Sequence, residues 1–163
     1  MFFLDSSNNR YFVGRSFEHA GLKYASSAAT EAKFLSLGFT KVTVGARPDS
    51  RFFTVTGPDN SGAYTTVDRD LDALKESFIE ITKQTERSLL ATTDYYIIQN
   101  VEDSSTYPIP TEVSNHRAAI RAAATARCNE ITAITTVSAL KTLIDGTGFT
   151  QFPDSPTTNY NAY

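Results

Sequence analysis

The stretch "DLDALKESFIEITKQTERSLL", residues 70 to 90, constrains the fold of this chain more than any other. Leu71, Leu74, Phe78, Ile81, Thr85 and Leu89 recur at steps of three and four, which lays one stripe along an α-helix and demands a packing partner. Asp68, Asp70 and Asp72 gather where the unpaired N–H groups of a helix start favour anions, and Lys83 and Arg87 lie toward the end, where cations are favoured. An amphipathic acidic helix therefore dominates residues 68–100, which close on "TTDYYIIQN". Tyr95, Tyr96, Ile97 and Ile98 are consecutive and cannot share one helical face. The expected structure is an aromatic elbow that ends the acidic helix, with both tyrosines against the next helix. The competing reading makes one tyrosine and an isoleucine part of a patch for a partner, since tyrosine combines apolar area with a polar tip.

Residues 1–67 have a different texture and read as a small β-rich module. "MFFLD", "RYFVG", "FTKVTVG", "RFFTVTG" and "AYTTV" are short β-branched or aromatic runs divided by turn residues. The last two flank "PDNSG", which is hairpin chemistry. Within the module, "SSAATEAKFLSLG" predicts a short helix with its N-cap at Ser27 and its stop at Gly38. After the elbow, residues 101–109 read as a linker and Pro110 opens an Ala-rich helix. Val113, His116, Ile120, Ala123, Ala124 and Ile131 fall on or near one side of it, opposite much of its arginine. A shorter helix follows, capped by Thr135 or Thr136 and stopped by Gly146, so residues 110–146 form a hairpin-like helical unit. Residues 147–163, rich in Pro, Thr and Asn, read as an extended tail. The fold class is α+β.

Charge narrows the partners. The 163-residue chain carries 15 basic and 18 acidic side chains, and residues 68–103 hold four of the basic and nine of the acidic ones. That balance gives no electrostatic reason to bind nucleic acid or an anionic membrane. The N-terminal "MFFLDSSNNR" lacks the basic start and apolar length of a signal peptide, and no apolar run approaches the ~20 residues that span a bilayer. Cys128 is the only cysteine, which excludes an intramolecular disulfide.

Tests for site chemistry return structural readings. "DRDLDA" has Ala73 where a calcium loop needs glycine and Ile79 where it needs a bidentate glutamate. "GPDNSGAY" has Ala63 and Tyr64 where a phosphate loop needs Lys and Ser or Thr. Cys128 and His116, twelve residues apart on one predicted helix, are separated by about 18 Å of rise and cannot form a nucleophile pair. No metal, cofactor or catalytic residues are expected, and an enzyme acting on cell-surface polymer would need a carboxylate pair in a cleft.

Four segments in order, "LGFTKVTVGARPDSRFFTVTG", "RDLDALKESFIEITKQTERSLLATTDYYII", "IPTEVSNHRAAIRAA" and "FTQFP", resemble the tail assembly chaperones and tail-fibre assembly proteins of tailed bacteriophages. The resemblance covers most of residues 37–153. Thr93, Asp94, Tyr95 and Tyr96 stand at the family's Thr-Asp-Trp-Tyr. Ile109 and Pro110 stand at its Ile-Pro helix entry, and His116, Arg117, Ala118, Ala119, Ile120 and Arg121 at its Tyr-Arg-Ala-Ala-x-Arg. Phe152 and Pro153 stand at its Trp-Pro. Tyr95, His116 and Phe152 depart from the family rings but each remains a ring. The resemblance implies a chaperone that binds a tail-fibre or baseplate protein in the host cytoplasm and assists its folding, trimerisation or attachment. The alternative it leaves is a permanent structural component of the virion tail. It also leaves open whether the chain is a homo-oligomer. The partner-binding residues expected are Tyr95, Tyr96, His116, Arg117, Arg121 and Phe152 within the resemblance and Tyr160 and Tyr163 beyond it, with residues 154–163 as a tether if the protein stays in the particle.

Overall fold

Strand β1, Phe2–Leu4, is the middle strand of a three-stranded antiparallel sheet, between β2 (Arg10–Tyr11) and β5 (Thr40–Val42). Side chains alternate across a strand, and both faces of β1 are covered, so all three of its residues are buried. Phe3 packs with Ala29, Phe34 and Phe39, whereas Phe2 and Leu4 join Val42. Helix α1 (Glu31–Ser36) supplies Phe34, whose ring stacks on Phe3 at 4.8 Å between centroids. Its N-cap is Thr30 and not Ser27: the Thr30 hydroxyl accepts from the Lys33 N–H, while Ser27 belongs to a preceding 3-10 turn. Gly38, at φ 79°, follows the end of the helix as expected.

Strands β3 (Phe17–His19) and β4 (Leu22–Tyr24) form a hairpin that no sequence signal identified. Strands β6 (Phe53–Thr56) and β7 (Thr65–Asp68) pair antiparallel around the predicted turn cluster. That loop is organised by Asp59, whose carboxylate accepts from the Ser61 hydroxyl and from the Ser61 and Ala63 N–H groups. These bonds, the Ser61 hydroxyl foremost, lower the Asp59 pKa. Gly62 has φ 86°, and a Cβ there would lie 2.3 Å from the Thr43 carbonyl oxygen, so the position admits only glycine.

The computed structural model describes residues 1–154. The fold is α+β, and the chain divides into two units, Met1–Asp68 with the strands and α1, and Arg69–Tyr163 with the remaining helices. Those helices are α2 (Leu71–Ala91), α3 (Asp94–Glu102), α4 (Thr111–Ala133) and α5 (Val137–Asp145). Asp70 caps α2 by accepting from the Ala73 N–H at 2.8 Å, and Thr136 caps α5 through the Ala139 N–H.

Helices α2 and α4 pack antiparallel. Near one end Lys75 Nζ donates to the Thr132 carbonyl at 3.1 Å, and near the other Arg117 Nη1 donates to the Leu90 carbonyl at 2.8 Å. Val113, Ile120, Ala123, Ala124 and Ile131 are buried on α4, the two alanines permitting close approach. Arg117 lies on this same buried face, contrary to the placement of arginines opposite it. On α2 the buried residues are Leu74 and Thr82, while Ile81 is 52% exposed. Thr82 is tolerated inside because its hydroxyl donates to the Phe78 carbonyl.

Candidate interaction surface

The segment "TTDYYIIQNVE" forms a helix of its own instead of an elbow. Helix α2 ends at Ala91, and α3 begins at Asp94. A helix end leaves carbonyls without partners along its own chain, and here Arg117 from α4 serves the break. Its Nη1 donates to the Leu90 carbonyl, the Thr93 hydroxyl and the Asp94 carboxylate, each at 2.8 Å. Arg117 and Thr93 are buried. Two of the segments that carry the resemblance thus meet in space, with Arg117 holding the α2–α3 break from within.

This anchorage sets the direction of α3. The helix has no buried residue; Tyr96, Ile97, Gln99 and Asn100 are half-buried, and the opposite side carries Tyr95, Ile98 and Val101 at 62%, 59% and 80% exposure. Tyr95 therefore stands in solvent and does not pack against α4 as the elbow reading required. Its ring meets that of Tyr96 edge to face at 5.8 Å. Both tyrosines, with Gln99, Tyr107, Pro108 and Pro110, line a pocket of about 240 Å³.

The pocket's far wall is shaped by the turn after α3. The segment expected as a linker begins inside α3, which continues to Glu102. Hydrogen bonds from Thr106 and Ser105 hold the Asp103 carboxyl down at about 2. Asn100 Nδ2 donates to the Tyr107 carbonyl at 3.0 Å and closes the turn.

No known protein family, characterised protein or solved structure matches this chain.

The other predicted site residues do not converge on this pocket. His116 is half-buried and Arg121 exposed on α4. Phe152 is half-buried beside Arg127, whose guanidinium lies 4.0 Å from the Phe149 ring centroid and 4.8 Å from that of Phe152. Phe149 is buried, and Glu130 accepts from both the N–H and the hydroxyl of Thr150. Residues 149–152 are thereby strapped to α4, whereas the sequence suggested a free tail from residue 147. Tyr160 and Tyr163, and all of the proposed tether except Asp154, lie outside the described residues.

Val101 and Tyr107 carry no sequence signal of their own, and Ile98 enters the sequence reading only as one of two isoleucines that could join a patch. The collective signal was the surplus of apolar residues over what one helical face can bury. Arg127 and Glu130, three apart on α4, could be found only through their tertiary partners. Among the described residues, no three His, Cys, Asp or Glu side chains are placed to hold a metal ion, and no helix is long and apolar enough to cross a membrane.

Proposed function

We propose that this chain is a bacteriophage tail protein that binds tail-fibre protein and assists its folding, trimerisation or attachment. The observation that carries the reading is α3: a helix with no buried residue whose outward side holds a tyrosine, an isoleucine and a valine beside an aromatic pocket. Tyrosine beside a pocket is a usual anchor of protein interfaces, and exposed apolar side chains grouped around it mark an interaction surface. The ordered resemblance supplies the tail context, and the ties from Arg117 to Thr93 and Asp94 give two of its motifs a shared structural task.

The test is co-expression of the chain with a tail-fibre protein from the same source, followed by quantitative mass spectrometry of mature particles. The reading expects a co-purifying complex and a higher yield of trimeric fibre. Fixed copies in the particle would assign a permanent tail component, and their absence would assign an assembly factor. Failure to co-purify, with no change in fibre yield and no copies in particles, would refute both.

A further inference from the structure

We infer that the outward face of α3 receives a partner segment that is at once apolar and cationic, with Lys or Arg interspersed among aliphatic side chains. The inference rests on the protein-binding reading above and specifies the chemistry of the partner. At 100° per residue, the exposed arc of α3 runs Val101, Asp94, Ile98, Glu102, Tyr95. Apolar and acidic side chains alternate across it. The apolar members of the arc contribute nothing to the core: Tyr95, Ile98 and Val101 are exposed, and α3 is held from its other side and by Arg117 through Asp94.

Charge selects the occupant. Between Arg87 and Arg117 the sequence holds four carboxylates, Asp94, Glu102, Asp103 and Glu112, and neither lysine nor arginine; Arg117 itself pairs with Asp94, which leaves the stretch net negative. Such a stretch disfavours nucleic-acid phosphate and anionic lipid. Pairing this face with the same face of a second copy would bring its acidic side chains, Glu102 foremost, against those of the copy, a like-charge juxtaposition that suppresses association. The chain's own residues 155–163, "SPTTNYNAY", contain no cation to offer. A cationic apolar segment satisfies both halves of the pattern: the stems of Lys or Arg cover Ile98 and Val101 while their heads reach Glu102. The Tyr95–Tyr96 pocket alongside accepts one larger side chain.

The probe is a pair of 15-residue peptides, one alternating leucine with lysine and the other leucine with glutamate, titrated into the full chain labelled with nitrogen-15. The lysine peptide is expected to shift the amide resonances of Tyr95, Ile98 and Val101, and the glutamate peptide to leave them in place. Ile98→Ser and Val101→Ser, which remove apolar area without adding charge, should each weaken the lysine peptide severalfold, with the melting temperature nearly unchanged because both sites are exposed. Glu102→Lys should weaken it too, and added salt should weaken wild-type binding. Equal binding of both peptides, shifts centred away from α3, no binding of the lysine peptide, or insensitivity to Ile98→Ser and Val101→Ser overturns the inference. The same variants, co-expressed with the tail-fibre protein, separate the two claims. If the fibre co-purifies with Ile98→Ser as well as with wild type, the surface is wrong and the tail reading stands. If the lysine peptide maps to α3 but no fibre protein binds, the tail reading is wrong and the surface stands.

Discussion

Replacing Arg117 with alanine tests whether the α2–α3 break is held as described. Three acceptors surround one guanidinium nitrogen, each at 2.8 Å. A hydrogen bond from a charged donor is worth about 1.5–3 kcal/mol, and orphaning a buried partner adds to the loss. The full sum does not apply here, for two reasons. Two protons on one nitrogen must be shared among three oxygens, and the acceptors are not left bare. The Leu90 carbonyl keeps the Thr93 N–H and hydroxyl, both at 3.0 Å, and Asp94, whose side chain is 52% exposed, regains water. The expected loss is about 2–3 kcal/mol, below the ~3–5 kcal/mol of a severed, fully buried ion pair. For a chain of this length that corresponds to a melting temperature lower by roughly 5–10 °C. Asp94→Asn should lose at most about 1 kcal/mol, because solvent screens the exposed partner. Urea unfolding followed by helical circular dichroism measures both, and Arg117→Met, which retains part of the apolar stem, isolates the polar contribution. A loss below about 1 kcal/mol for Arg117→Ala, or equal losses for Arg117→Ala and Asp94→Asn, would refute the reasoning.

Two further outcomes follow from local geometry. Gly62→Ala should destabilise the β-rich unit by about 2–3 kcal/mol, since the left-handed backbone accounts for about 1–2 kcal/mol and the 2.3 Å approach to the Thr43 carbonyl adds to it. Gly14→Ala, at φ 77° but facing open space, should lose only about 1–2 kcal/mol, and equal losses at the two sites would remove the close-approach argument. The Asp103 carboxyl should titrate at about 2, below its ordinary 3.8, so the turn's contribution is whole above pH 3.8 and disappears as the pH falls through about 2. A carbon-13 carboxyl titration reads this directly, and a midpoint near 3.8 would mean the Thr106 and Ser105 hydrogen bonds do not persist in solution.

What could be read from the sequence was what depends on neighbours in the chain. The α2 helix, the cap of α5 at Thr136 (one of the two threonines offered) and the β6–β7 hairpin rest on spacing or on a side chain reaching its own backbone a few residues away, and all of them form, although Ile81 of the predicted stripe is exposed. The β3–β4 hairpin was hard to read because each strand is three residues long and its turn places Ala20 at φ 52°, a conformation ordinarily left to Gly, Asn or Asp. Apart from the α1 cap, which is Thr30 and not Ser27, the misreadings concern side chains placed by distant partners. By spacing Arg117 falls on the stripe of Val113, Ile120 and Ala124, and only its charge reads as surface until the α2–α3 break offers it oxygens from residues 90 to 94. The aromatic cluster was recognised as having too much apolar surface for one face, but its division into inward Tyr96 and outward Tyr95 depends on where α2 stops. Phe149 and Phe152 sit in a Pro- and Thr-rich stretch whose order comes from Arg127 and Glu130, about twenty residues earlier.

The two polar ties between α2 and α4 also govern which changes of length the helices can accept. Lys75 and Leu90 are fifteen positions apart on α2, and their partners Thr132 and Arg117 are fifteen apart on α4. Removing one residue between the ties in either helix shortens that span by about 1.5 Å and turns everything beyond it by about 100°. Lys75 and Arg117 could then no longer both meet their carbonyls. Insertions and deletions should therefore be rare within residues 76–89 and 118–131 unless both helices change together, and should accumulate instead where the chain is exposed outside the helices, as at Thr147–Gly148 after α5.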